Sequence, residues 1–222
     1  MFDLRGYAVK EDALTRTIVD ELNRAIDRQL LPPPSTYNRF GSAPLGSGLL
    51  SWDQAFIQLI DHAAILDQLQ LVFGSAIFLR RIYGIYEDRF VGGNSKSAHL
   101  DVTTCAENAE QGLLVIWNLT DTGQGIGGFS CIEGSHRVKP PNDIEKSLEL
   151  ANSCSTVPDA RAGSVIVCDP NLRFTHVDWA GPHQRRSLVF DYSRSLAQDT
   201  ATRITIASNI TCSKRQQTIL GH

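Results

Sequence analysis

Two residues of this chain have types and spacing that suit a metal. His99 and Asp101 stand one residue apart in Ser97-Ala98-His99-Leu100-Asp101-Val102. On a β-strand, side chains alternate between faces, so the two project into one space while Leu100 points elsewhere. An imidazole and a carboxylate on a common face are two of the three donors of a 2-His-1-carboxylate set. That set holds Fe(II) on one side and leaves the opposite positions open for substrates. An H-x-D triplet is common by chance, so its weight depends on a third donor and on an anchor for a co-substrate.

Three histidines compete for the third position. His136 ends the turn Gly134-Ser135-His136, where a histidine often bonds to local backbone. His183 follows Pro182 in a loop. His176 follows a strand–turn–strand unit and precedes a basic strand, which lets the chain return to a barrel mouth at that point. His176 is preferred, with the other two left open. A 2-oxo acid that chelates iron through its carboxylate and keto oxygen leaves any distal carboxylate to be held. Arginine suits that task, because its planar guanidinium grips a carboxylate bidentately. Arg185 and Arg186 lie 9 and 10 residues after His176, at the start of the next strand. One should point inward and the other outward.

The elements that must position these groups are legible in outline. Gly6-Tyr7-Ala8-Val9 reads as an opening strand. Leu14, Ile18, Leu22 and Ile26 form one face of an amphipathic helix, with Asp12 as its candidate cap, and Leu31-Pro32-Pro33-Pro34 ends it. Residues 32–50 read as a long loop. A second helical stretch begins near Ser51, is broken at Asp61-His62, and closes at Gly74. His62 has no carboxylate–histidine partner at metal spacing and reads as a surface or satisfied core histidine.

From residue 76 the period changes from helix to strand. Runs at 76–86, 112–119, 129–132, 163–168, 174–176, 186–192 and 203–207 read as strands, and a helix is expected from about 142 to 151. Gly112 to Leu119 is the most apolar run and suits a strand buried on both faces. Helices first and many short strands after point to an α+β chain, mainly β, whose second part is a sandwich or barrel. The expected organisation is a single domain over 1–222, helical to about 75, with the β core from about 76 to 208.

The 222 residues are 42% hydrophobic and 20% charged, with a formal net charge of -3, as in ordinary soluble domains. No basic surface for nucleic acid and no apolar run of membrane-spanning length stand out. The five cysteines have no C-x-x-C spacing and read as reduced thiols in a cytoplasmic protein.

Taken together, several stretches resemble the phytanoyl-CoA dioxygenase-like family of Fe(II)/2-oxoglutarate-dependent oxygenases. They are Gly6-Tyr7-Ala8-Val9 with the helix after it, His99-Leu100-Asp101, Trp117-Asn118-Leu119-Thr120-Asp121, and Gly127-Gly128-Phe129 through Gly134-Ser135-His136. Ala162-Gly163-Ser164-Val165-Ile166-Val167, Thr175-His176, Trp179 and Pro182-His183-Gln184-Arg185-Arg186-Ser187-Leu188 continue the likeness to about residue 195. Jointly these motifs are specific, though singly none is.

The resemblance implies a double-stranded β-helix, the cupin-like jelly roll. It implies His99, Asp101 and His176 as Fe(II) ligands, Arg185 as the 2-oxoglutarate anchor, and Trp117 as a residue lining the co-substrate pocket. The His176–Arg185 interval is about two residues shorter than the family's, which keeps Arg186 as the alternative anchor. Glu133 stands where the family has proline, Ser164 where it has an acid, and Asp178 where it has a small or hydroxyl residue. The presence of Asp101 argues for hydroxylation over halogenation. The implied activity is oxidation of a C–H bond of a small-molecule metabolite, with 2-oxoglutarate and O2 giving succinate and CO2. Arg81, Tyr83 and Tyr86, on the strand before the metal motif, are candidates for the substrate rim. The competing reading is a metal-binding barrel without oxygenase activity, serving as a sensor, isomerase or hydrolase.

Overall fold

The computed structural model describes residues 2–30, 48–87, 112–138, 153–177, 179–195, 204 and 206–222, and the backbone alone at 38–40 and at 175–176. His99, Asp101 and the helix expected at 142–151 lie outside the described residues.

The chain begins with a short helix α1 (Phe2–Arg5) and the strand β1 (Tyr7–Lys10). Helix α2 spans Arg16–Gln29. Its cap is Thr15, whose hydroxyl accepts from the Ile18 N–H; Asp12, expected to cap it, instead sits at φ 51 in the turn before. The apolar face buries Val19, Leu22, Ala25 and Ile26. Each of the larger three contributes about 1.5–3 kcal/mol of burial. Asp53 caps α3 (Gln54–Ile57), and His62 caps α4 (Ala63–Phe73), so the break expected at Asp61-His62 is where the helix restarts. Gly74 ends α4 at φ 65, a left-handed value that a side chain would resist.

Strand β2 covers Asn38–Phe40, within the expected long loop. The other strands among the described residues are β3 (Phe78–Glu87), β4 (Gly112–Asn118), β5 (Gly128–Ile132), β6 (Ser155–Thr156), β7 (Val165–Cys168), β8 (Phe174–Val177) and β9 (Arg185–Ser193). They form a six-stranded sheet, ordered β1-β7-β4-β9-β3-β2, and a three-stranded sheet, ordered β6-β5-β8. Among the described residues all pairings are antiparallel. This is a jelly-roll sandwich with flanking helices.

Two cores follow from the alternation along the large sheet. Tyr83, Ile85, Leu114, Ile116, Ile166, Cys168 and Val189 meet Phe129 and Cys131 of the small sheet, and together they fill the lumen between the sheets. Ile82, Tyr86, Leu113, Val115, Trp117, Leu188 and Phe190 face the other way and pack under α2, α3 and α4. The strand expected at 203–207 is not formed at its described residues. A helix α5 (Lys214–Ile219) appears instead, closed by a capping box between Ser213 and Gln216.

Candidate functional site

The parity of β9 decides which arginine enters the lumen. Val189 belongs to the lumen core, while Leu188 and Phe190 belong to the helix-side core. Counting back in twos from Val189 reaches Ser187 and Arg185. Arg185 is accordingly buried, with a relative exposure of 3%. Its cross-strand partner is Glu87, the last residue of β3. The Arg185 Nη1 lies 3.3 Å from the Glu87 Oε2. The other carboxylate oxygen, Glu87 Oε1, accepts the backbone N–H of Trp179 at 3.2 Å.

That second bond ties the site to β8. Trp179 is three residues beyond His176, and the register places His176 opposite Phe129 of β5. The Trp179 ring is buried; its Nε1–H donates to the His183 carbonyl, and its edge meets the His183 ring at 5.8 Å. Gly181 leaves room for this ring: a Cβ there would fall 2.5 Å from Trp179 Cζ2. A single carboxylate thus links the end of β3, the start of β9 and the exit of β8. The His99–Asp101 pair lies in the stretch that follows β3, and it remains a proposal.

A polar row runs beside Arg185. Ser187 Oγ donates to Asn118 Oδ1 at 3.2 Å, and the Asn118 N–H bonds the Ser164 carbonyl. Asn118 Nδ2 and Ser164 Oγ are buried and have no hydrogen-bond partner among the described residues. Burial first, and Glu133 second, push the Cys131 thiol up to about 12, so this lumen cysteine carries no thiolate at neutral pH.

Arg186 takes the other face. Its Nη2 donates to Asp27 Oδ1 at 2.6 Å, its Nη1 reaches the Asn23 carbonyl and side chain at 3.3 Å, and its guanidinium lies 5.7 Å from the Tyr86 ring centroid. It fastens α2 to the sheet and is turned away from the lumen.

The other expected site residues are scattered. Tyr83 lines the lumen, four residues along β3 from Glu87. Tyr86 is in the helix-side core beneath Arg186. Trp117 is also there, fully buried, with the His62 ring edge-on at 5.3 Å. The sheet separates it from the lumen that Arg185 enters. Arg81 pairs with Asp191 at 3.2 Å and stacks over Tyr83 at 5.8 Å. Asp191 is six residues from Arg185 along β9, so this pair sits about 20 Å away, at the far end of the strand. The structure therefore brings Arg185 to the end where β8 finishes, and does not bring Trp117, Tyr86 or Arg81 there.

Of the alternative histidines, His136 directs Nε2 to the Asp3 carbonyl at 3.3 Å, and His183 is exposed and engaged by Trp179. Among the described residues no three His, Cys, Asp or Glu side chains converge as a metal site. Glu87 and Asn118 were missed as site residues. Their signal was parity, since both continue the inward series of their strands.

No protein-family model matches the chain, and no curated protein matches it. Solved structures do. HygX from Streptomyces hygroscopicus, in a crystal structure with nickel and 2-oxoglutarate bound, is similar with a TM-score of 0.65 at 18% identity, over 86% of this chain and 84% of that one. Its iron-bound structure gives 0.63 at 17%, over 86% and 83%. EctD from S. alaskensis with bound Fe gives 0.61 at 21%, over 86% and 74%. The likeness at these identities is one of fold.

Proposed function

We propose that this protein is a non-haem Fe(II)/2-oxoglutarate-dependent dioxygenase of the phytanoyl-CoA dioxygenase-like kind, formed as one domain and working in the cytoplasm. It would hydroxylate a C–H bond of a small-molecule metabolite. The observation that carries the reading is Arg185, a buried cation on the lumen face of a jelly roll, at the end where β8 leaves the sheet. A buried guanidinium is stabilised by carboxylates: Glu87 provides one, and a distal carboxylate of a co-substrate is a second that this chemistry would supply.

His99, Asp101 and His176 would hold the metal. Two imidazoles and one carboxylate suit Fe(II), and they leave positions for the 2-oxo acid and O2. Bound iron would supply the activation of O2 and the oxidative decarboxylation of 2-oxoglutarate. The chain's own task is geometry, charge and a dry pocket. Arg185 would orient the co-substrate by its far end. Asn118, opposite Ser187, and Ser164 beyond it offer buried polar atoms on the same face of the sheet, and Ile116, Ile166 and Val189 exclude water from the wall behind. Tyr83 is the remaining candidate on the lumen face for contact with the prime substrate. The bond being oxidised is held without any side chain acting as acid or base.

The fold likeness supports this reading, since HygX and EctD structures of the same fold were solved with iron, and HygX also with 2-oxoglutarate. The test is succinate release from 2-oxoglutarate by purified protein supplied with Fe(II). Wild type should turn over, slowly without prime substrate, and His99→Ala, Asp101→Ala and His176→Ala should not. Unchanged succinate release in His99→Ala overturns the assignment.

The second reading is a metal-binding barrel without oxygenase activity. One observation favours it: Glu87 already provides Arg185 with a carboxylate. Under that reading the variants would change bound metal but no 2-oxoglutarate would be consumed.

A further inference from the structure

Glu87 and Arg185 are paired with both side chains under a tenth exposed, at 7% and 3%. In the other ion pairs among the described residues, at least one partner is more open to water. The proposed co-substrate brings a second carboxylate to the same guanidinium. Two carboxylates drawn to one buried guanidinium repel each other, and each loses water in reaching it.

Glu87 is not positioned to yield easily. It ends β3 opposite Arg185, and its second oxygen is held by the Trp179 N–H at 3.2 Å. Turning away would strip a buried amide of its acceptor. A 2-oxo acid without a distal carboxylate meets no such opposition, since it leaves the Glu87–Arg185 pair intact.

Resting on the oxygenase reading above, we propose that Glu87 sets the co-substrate selectivity of this site. It competes with the distal carboxylate for Arg185, and so narrows the preference for 2-oxoglutarate over 2-oxo acids of the same chain length that lack the distal charge. Glu87 acts through Arg185 and is a positioning residue.

The experiment is calorimetric binding of 2-oxoglutarate and of 2-oxopentanoate to full-length protein loaded with Zn(II), which binds without turnover. The readout is the ratio of the two dissociation constants. In Glu87→Gln, 2-oxoglutarate should bind more tightly and the ratio in its favour should rise by about tenfold or more, because like charges no longer share one cation. Glu87→Asp keeps the charge but withdraws it by one methylene, and should raise the ratio less; it answers the question if Glu87→Gln does not fold. A glutamate that only supports the fold would weaken both acids together and leave the ratio where it was, and that result overturns the proposal. Arg185→Gln separates the two levels. If it collapses the ratio while the Glu87 variants leave it unchanged, Arg185 remains the anchor and only the Glu87 proposal fails. If wild type binds neither acid, the oxygenase reading fails and takes this proposal with it.

Discussion

Arg185 and Arg186, neighbours in sequence, leave β9 on opposite faces: the first meets Glu87 in the lumen, and the second meets Asp27 on α2. The two should therefore fail differently. Arg186→Ala removes hydrogen bonds to Asp27, Asn23 and Gln184 and a stacking contact with Tyr86. It should cost about 1–3 kcal/mol of unfolding free energy while leaving 2-oxoglutarate binding within about threefold of wild type. Arg185→Ala should remove 2-oxoglutarate binding. Urea unfolding and calorimetry on both variants check this, and loss of co-substrate binding in Arg186→Ala would reverse the assignment.

Asp191 is 1% exposed and takes two arginines at once, Arg80 at 2.9 Å and Arg81 at 3.2 Å. Adjacent residues normally point to opposite faces, and the register shift between Leu79 and Arg81 is what lets both reach one carboxylate. Both arginines are partly solvated, which discounts the pairs. Asp191→Asn should still cost about 2–3 kcal/mol, mostly because one buried oxygen becomes an NH2 that cannot accept from the arginines and the charge facing them is lost. In a double-mutant cycle by urea denaturation, Arg80→Ala with Asp191→Asn should cost less than the sum of the two single changes. Strict additivity would show that the contact contributes nothing.

The strands were legible because their residues are β-branched and aromatic between glycine turns, and β3, β4, β5, β7 and β9 fall within two residues of the expected bounds. The phase of β9 was not legible. Leu188, Val189, Phe190 and Tyr192 are all buried, so no alternation marks the inward face, and the choice between Arg185 and Arg186 waited on cross-strand register. The same gap left the side taken by Trp117 and Tyr86 open in the sequence, since both are apolar enough for either face of a doubly covered sheet. Glu87 was passed over because a lone acid at a strand end reads as a solvated charge, and only its pairing with Arg185 shows otherwise. The α5 helix was readable from Ser213 and Gln216, but its six residues carry too short an apolar pattern to stand out.

Gly181 holds the space that the Trp179 ring occupies. In Gly181→Ala, the new Cβ would meet Trp179 Cζ2 at 2.5 Å and Ile126 Cγ2 at 3.2 Å. The ring is 2% exposed and cannot step into open solvent without cost. The substitution should lower stability by about 1–3 kcal/mol. It should also red-shift tryptophan emission as the indole gains water, and it should disturb the Trp179–Glu87 bond. An unshifted emission spectrum with wild-type stability would show that the segment after β8 yields freely.

His62 ties stability to pH. Its Nδ1 accepts the Ala64 N–H at 3.2 Å at the start of α4, and its ring lies edge-on to Trp117. Burial lowers its pKa, Lys10 lowers it further, and Asp61 opposes them. The folded protein thus holds His62 neutral where the unfolded chain, with a pKa near the ordinary value of about 6.5, takes up a proton. The contribution is complete above that ordinary value and is lost as pH falls through the depressed folded value. A protonated ring would also lose the lone pair that caps the helix. His62→Asn keeps a capping oxygen but does not titrate. Urea unfolding at pH 7 and pH 5 should therefore show a smaller loss of stability in His62→Asn than in wild type, and an equal loss in the two proteins would place the acid sensitivity elsewhere.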